Sequence, residues 1–453
     1  MNVLFASPLG AMLARPWVDP VGLFGLRRWY LPLSRLWAAA NAADGDVARF
    51  RDEIGSPLPA VWPDSVISGL LVRHDKARST ADAARHVWEE AIFSGSNVDA
   101  GALDRRRRAA ATRHLATRAI FYPLLFPRRP AVARWRIESP EDVERALGPL
   151  IGNLAALYGA PLDVGTVSVS QSFSRNGLKE YWLRAPTPSV RLRHRAGSEA
   201  MYARVVEPAD GASKATLIIG SGLCLEFELL TVARDPGARL AARGWRVIES
   251  ISPYHGLRAM PGSYGGEPFF AAAPTSAFDL IAGQAVETAL LTAWSRARFG
   301  SKVAVAGISM TSFVAQQVAS YCTLWPELAR PHAAMLISHS GRVEDVTFGG
   351  ALAAALGLDR ALTDAGWSRQ ALARLSAAID PAEVPALPPS RIVSVLGETD
   401  RWLPYADGHA VAQRWELPAN NLFRYRLGHL GMPVQLTRDP APFERLMRVL
   451  GDA

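Results

Sequence analysis

The chain has 453 residues, 49% of them hydrophobic and 20% charged, which suits one large core with a sizeable extension, or two domains, and excludes a fibre, a disulfide scaffold or a disordered chain. Two cysteines, Cys224 and Cys322, are too few for a zinc site or a disulfide framework and point to a reducing, cytoplasmic setting. The formal charge of +8 is carried mostly by arginines spread along the chain; no nucleic-acid-binding motif accompanies them, so no nucleic-acid partner is expected, and no apolar run reaches the ~18 residues of a spanning helix.

Residues 1–14 are apolar but carry no positive side chain ahead of the apolar run, so a cleaved secretory signal is not expected. Residues 15–37 then set Trp17, Phe24, Trp29, Tyr30 and Trp37 among Arg15, Arg27, Arg28 and Arg35. Such a mixture suits peripheral contact with an anionic bilayer. Pro16, Pro20 and Pro32 interrupt a long amphipathic helix and favour instead an arm whose aromatics pack on the core. Further helices are predicted over Ala81–Phe93, Gly101–Phe121 and Pro140–Tyr158, the last with Ser139 as N-cap and Glu141 and Asp142 in its first turn. Residues 1–160 therefore read as a helical N-terminal extension.

From residue 161 to 453 the pattern becomes short β-like runs alternating with helices, as in a mostly parallel twisted sheet with helices on both faces. Strands are predicted at Leu162–Val169, Lys179–Leu183, Met201–Val206, Ala215–Ile219, Arg246–Ser250, Lys302–Ala306, Ala333–Ile337, Ile392–Leu396 and Leu422–Tyr425. Helices are predicted at Leu225–Arg243, Ala277–Phe299, Thr311–Tyr321 and Asp407–Trp415. Residues 341–389 hold no evident strand and read as a helical insertion above the sheet. Within it, Gly349–Leu358 is apolar enough to be a lid or a core helix.

The chemistry starts at the run KVAVAGISMTSFVAQQVA, a strand entering Gly307-Ile308-Ser309-Met310-Thr311 and then a helix. A serine at such a turn stands out from the carboxyl end of the sheet, and small neighbours two residues away let strand and helix approach. A helix-capping serine is the plainer alternative. An alcohol needs a base held by an acid before it can act as a nucleophile, and in this class of fold the acid follows a late strand and the histidine the last one. Asp400 follows the strand in RIVSVLGETDRWLP, with Glu398 and Asp407 as competitors, and His429 follows LFRYRLG between Gly428 and Gly431. The predicted set is nucleophile Ser309, acid Asp400 and base His429. Oxyanion donors are expected at the N–H of Met310 and in the turn after Leu217–Ile219, at Leu223 with Gly222 next.

These segments resemble the α/β-hydrolase superfamily. SPYHGLRAMPGSYGG (252–266) and AGISMTSFVAQQVAS (306–320) are similar to the α/β hydrolase domain-containing protein 18 family. Pro253, Tyr254, Gly256 and Arg258 fit that family's Pro-Tyr-(x)-Gly-x-Arg pattern, whereas Thr311 and Ser312 depart from its Gly-Ile-Ser-Met-Gly-Gly. The resemblance implies hydrolysis of acyl esters, including those of membrane lipids such as cardiolipin. Tyr254, His255 and Arg258 become candidate substrate-binding residues. His255 is alternatively a satisfied loop histidine, and Arg258 either grips a substrate anion or pairs with a local acid such as Glu249 or Glu267.

The reading is thus an α/β-hydrolase fold whose catalytic domain hydrolyses a small-molecule or lipid acyl ester through an acyl-serine intermediate, with no metal or cofactor implied. An acyltransferase or amidase on the same triad shares the first half-reaction, and a catalytically silent scaffold of the same fold is the remaining alternative.

Overall fold

In the computed structural model of the chain, the described residues are 15–59, 61–95, 97–159, 161–223 and 235–451. Segment 1–14, Cys224 and residues 225–234 of the predicted helix Leu225–Arg243 lie outside them; in the described remainder of that prediction, Pro236–Ala241 is helical. The Val-, Ile- and Ala-rich runs form one ten-stranded sheet: β1 Ser168–Val169, β2 Phe173–Arg175, β3 Leu178–Pro186, β4 Ala200–Pro208, β5 Ala215–Gly220, β6 Trp245–Ser250, β7 Val303–Ile308, β8 Ala333–Ile337, β9 Ile392–Gly397 and β10 Leu422–Tyr425.

The strand order is β1-β3-β4-β6-β5-β7-β8-β9-β10, with β2 paired to β3. β4 runs antiparallel to both β3 and β6, and every pairing from β6 to β10 is parallel. Side chains alternate along the central strands into two apolar layers. Val303 and Val305 of β7 join the layer containing the helix Thr275–Phe299, while Ala304 and Ala306 join Leu240, Phe443, Leu446 and Val449 on the other face. A mixed sheet in this order, covered by helices on both faces, is the α/β-hydrolase fold.

Two differences from expectation lie at the start of the sheet. β2 escapes a strand reading because it is three residues long, yet it forms a hairpin with β3 through Asn176-Gly177, both at positive φ, a pair that favours such a turn. The run Leu162–Val169 shortens to β1, because the Asp163 side chain accepts the Gly165 N–H and turns Val164–Thr166 into a helical turn.

The N-terminal part is helical: Val18–Gly25, a π-helical turn Leu26–Tyr30, and Leu31–Ala43 in unbroken succession, then Asp64–Phe93 and Ala100–Ala116. The prolines do not interrupt the first helix as expected. Pro20 sits in its opening turn, where N–H groups have no helical partner, and Pro32 follows the wider π turn, which is where a helix absorbs an irregularity. Ser139 caps Pro140–Ile151 as predicted, but the helix stops at Gly152 and Asn153 caps a separate Leu154–Tyr158. None of the described helices is long and apolar enough to cross a membrane.

Buried ion pairs fasten this helical part to the sheet. Arg35 donates twice to Glu267 at 2.6 and 2.7 Å, both side chains fully enclosed. Arg108 bonds Asp104 and reaches Glu180 of β3, which is also held by Arg204 of β4. Trp88 stands edge-on to Trp182 of β3 at 5.2 Å under the Arg107 guanidinium.

Register places the ends of the strands that matter side by side. Gly220 of β5 pairs with Gly307 of β7, so the loops leaving both begin together where the strand order reverses, the edge at which such sheets bind ligands. Gly397 of β9 pairs with Tyr425 of β10, and the segments beyond them emerge at the same edge. A Cβ on Gly307 would collide with the Thr311 carbonyl, and one on Gly220 would lie 2.8 Å from Thr311 Cβ. Thr311 therefore occupies the space a second glycine would leave, with Gly220 as the residue that admits it. Its hydroxyl donates to the Ile308 carbonyl at 3.1 Å and accepts the Ile308 N–H at 3.0 Å.

Gly220→Ala should cost about 1–3 kcal/mol through overpacking against the stiff Thr311 side chain. Thr311→Gly in the same chain should recover much of that, giving a coupling above about 1 kcal/mol in a double-mutant cycle of denaturant unfolding. Additive effects would contradict the packing argument.

Candidate active site

Ser309 links β7 to the helix Met310–Tyr321 with φ 57° and ψ −120°, a strained conformation held in place as its N–H donates to the Ile337 carbonyl of β8 at 3.0 Å. Its Oγ lies 2.9 Å from Nε2 of His429, which arrives on the loop after β10. The other ring nitrogen, Nδ1, lies 2.7 Å from Oδ2 of Asp400, on the loop after β9. The remaining oxygen of Asp400 accepts the N–H groups of Trp402 at 2.9 Å and Leu403 at 3.1 Å, so the carboxylate is held at both ends. The structure thus brings Ser309, His429 and Asp400 into one hydrogen-bonded line. The competing acids do not join it: Glu398 is exposed, and Asp407 accepts the Ser340 hydroxyl.

The imidazole of His429 stacks on the Trp402 indole, centroids 4.9 Å apart and planes 12° from parallel. Burial by itself would push its pKa down. The charge of Asp400 and its hydrogen bond, with a further contribution from Asp19, outweigh that and hold it above the ordinary histidine value. A ring so placed can accept a proton from Ser309 and keep the resulting cation balanced.

Ser309 opens into an apolar cavity that Met310 and Leu223 also line. Met310 is the first residue of its helix, where N–H groups have no intrahelical acceptor. Gly222 is buried in the loop between β5 and Leu223. One wall of the cavity comes from Phe269, Ile281 and Phe313. Further lining comes from the stretch whose helices are Val343–Gly349, Ala351–Leu356, Leu358–Asp364 and Arg369–Ser376. It contributes Leu352, Leu356, Leu358, Leu362, Leu372 and Leu375. Part of the apolar segment Gly349–Leu358 therefore lines the same cavity as the serine.

The three candidates on the segment after β6 are elsewhere. Tyr254, His255 and Arg258 are all buried, and none lines the cavity. Arg258 is fully enclosed, gripping Glu287 with two bonds of 2.8 Å and donating to the carbonyls of Ile251 and Ser198. Its partner is neither Glu249, which is held by Arg204, nor Glu267, which is held by Arg35. The guanidinium is spent on a buried carboxylate twenty-nine positions along the chain, and this corrects its reading as a substrate grip. His255 directs Nδ1 at the Pro253 carbonyl 2.9 Å away, the satisfied loop histidine.

Three features of the site escape sequence reasoning. Trp402 is visible only as one aromatic in a loop. Asp19, the one acidic residue of segment 15–37, accepts the N–H of His429 at 2.5 Å and of Leu430 at 2.9 Å. In the cavity lining the Ser376 hydroxyl lies 3.0 Å from carboxylate oxygens of both Glu344 and Asp380, and burial pushes Asp380 up to about 7. Among the described residues no cluster of His, Cys, Asp and Glu has the makings of a metal site. Cys322 is buried and free.

No protein-family model matches the chain, and no curated protein matches it in sequence. Among solved structures it is similar to acetyl xylan esterase 1 from Thermoanaerobacterium sp. JW/SL YS485, at 14% identity over 69% of this chain and 95% of that one, with a TM-score of 0.47. It is also similar to an esterase of Pyrobaculum calidifontis, at 16% identity over 69% and 92% of the two chains, TM-score 0.38. A third is brefeldin A esterase, described as a bacterial homologue of human hormone sensitive lipase, at 16% identity over 69% and 85%, TM-score 0.38. The assignment of the α/β-hydrolase fold rests on the strand order and layering of this chain itself.

Proposed function

We propose that this chain is a serine hydrolase of carboxylic esters with an apolar, medium- to long-chain acyl group, in which Ser309 is the nucleophile, His429 the base and Asp400 its orienting acid. The observation that carries this reading is the hydrogen-bonded line Asp400–His429–Ser309 ending in an apolar cavity.

In the proposed reaction His429 Nε2 takes the Ser309 proton as Oγ adds to the ester carbonyl, and the N–H groups of Met310 and Leu223, with Gly222 behind them, bind the oxygen that becomes negative. The imidazolium returns its proton to the departing alcohol, leaving an acyl-serine. Water then gives a proton to His429 and its oxygen to the acyl carbon; as the intermediate collapses, His429 returns that proton to Ser309 Oγ, the acid departs, and both side chains regain their starting forms. Residues 341–389 act as a cap under which the acyl chain lies, which excludes bulk water from the serine. No step calls on a metal or cofactor.

A lipid ester suits the leucine-lined wall. The narrower likeness to the α/β hydrolase domain-containing protein 18 family rests on segments 252–266 and 306–320 alone. Peripheral contact of residues 15–37 with an anionic bilayer is favoured by the exposure of Trp17, Phe24 and Trp29 beside exposed Arg15, Arg27 and Arg28, although Trp37 is buried in the core.

Ser309→Ala should reduce hydrolysis of p-nitrophenyl esters to background with an unchanged melting curve, and Asp400→Asn should lower kcat by about 10³–10⁴-fold. Full activity in either variant would overturn the assignment. Because His429 must be neutral to act and its pKa is held up by Asp400, kcat/KM should fall as pH drops through a value above the ordinary ~6.5. An acid limb below that contradicts the electrostatic picture. Turnover should rise more than about tenfold from acetate to octanoate, since each methylene buried in the cavity contributes about 0.8 kcal/mol. A preference for acetate would sink the acyl-chain reading and leave the catalytic line untouched.

A further inference from the structure

The helix Val18–Gly25 lies against the loop that carries His429, and Asp19 is the only acidic side chain in that helix. Its carboxylate, 6% exposed, spends both oxygens on two successive backbone N–H groups, those of His429 and Leu430. Two glycines clear the way for this contact. Any side chain on Gly428 would overlap the Asp19 carboxylate, and any on Gly22 would overlap Leu430. The flanking Gly428 therefore serves less to free the loop than to admit an acid from the far end of the chain. The helix is itself fixed from behind, because it continues through the π turn into Leu31–Ala43, where Arg35 is locked onto Glu267.

On the serine-hydrolase reading given above, we infer that Asp19 is a positioning residue for the catalytic base: it fixes the backbone of residues 429–430 so that the imidazole spans Asp400 and Ser309. A loop of this kind, with a glycine at 428 and another at 431, has no regular hydrogen-bond ladder to hold it, and a carboxylate taking two adjacent N–H groups supplies a charge-assisted substitute. Side-chain contacts hold the ring at Nδ1, Nε2 and one face, through Asp400, Ser309 and Trp402. Asp19 holds the main chain from which the ring projects. Small displacements of a reacting group are costly, with about 1 Å able to remove about a hundredfold in rate. The charged groups that bear on His429 are Asp400 and Asp19, both of which favour its protonated form. Burial pushes the carboxyl of Asp19 above its ordinary range while the Leu430 and His429 N–H groups pull the other way.

The test compares wild type with Asp19→Asn and Asp19→Ala in the full chain, using p-nitrophenyl octanoate. Asparagine keeps the shape but can accept only at its oxygen, so kcat should fall about tenfold, and about a hundredfold for alanine, with KM within about twofold. The acid limb of the pH profile should move to lower pH as one favouring charge is lost. Independently of turnover, the His429 pKa, read by NMR on histidine-labelled protein, should fall in Asp19→Asn. Unchanged kcat together with an unchanged His429 pKa overturns the inference, as does a loss of kcat matched by an equal loss of folded protein. A wild-type chain that hydrolyses no ester counts against the function proposed above, and the NMR titration still decides the role of Asp19.

Discussion

A neutral imidazole buried against apolar side chains can take up a proton only if the protein has already placed a balancing charge beside it. That constraint organises the candidate site. Desolvation alone would leave His429 a poor base, and the Asp400 carboxylate reverses the outcome by lying 2.7 Å from Nδ1. Asp400 can do so only because the N–H groups of Trp402 and Leu403 hold its other oxygen, which fixes the loop after β9. The Trp402 indole then covers the face of the ring. Sheet register, loop turns and the strained backbone of Ser309 all serve one short line of hydrogen bonds.

The same reasoning makes the N-terminal helices part of the site. They are joined to the sheet by ion pairs among enclosed side chains, Arg35–Glu267 and the Arg108–Glu180–Arg204 group, where breaking one pair leaves an unbalanced charge inside. Rigid anchoring of that sort lets a helix deliver Asp19 to a loop more than four hundred positions away along the chain. Leucines of the helices between Val343 and Ser376 line the cavity into which Ser309 opens.

Most of the sheet was legible because its strands are buried on both faces and read as unbroken apolar runs; β8 and β10 have the predicted ends, and β7 shifts by one or two residues. Ser309, Asp400 and His429 were legible because each lies within four residues of the end of a predicted strand. The hairpin strand β2 was too short to register, and the continuity of the first helix was hidden by Pro20 and Pro32, whose placement in an opening turn and after a π turn has no local signature. Pairings such as Arg258 with Glu287 and Asp19 with the His429 loop depend on how distant elements pack. Local sequence offers Arg258 nearer acids, Glu249 and Glu267, and each is already taken by another arginine. Thr311 departs from the glycine expected at the turn; it fits because Gly220, on another strand, leaves it room.

The central claim is that one serine, out of the many in the chain, is made nucleophilic by the His429–Asp400 pair. The most direct measurement is reaction of the folded protein with a fluorophosphonate, followed by intact mass and peptide mapping. The account predicts a single covalent adduct per chain, located on Ser309 and abolished by prior unfolding. An adduct on a different residue, or none under conditions where the protein is folded, would contradict it.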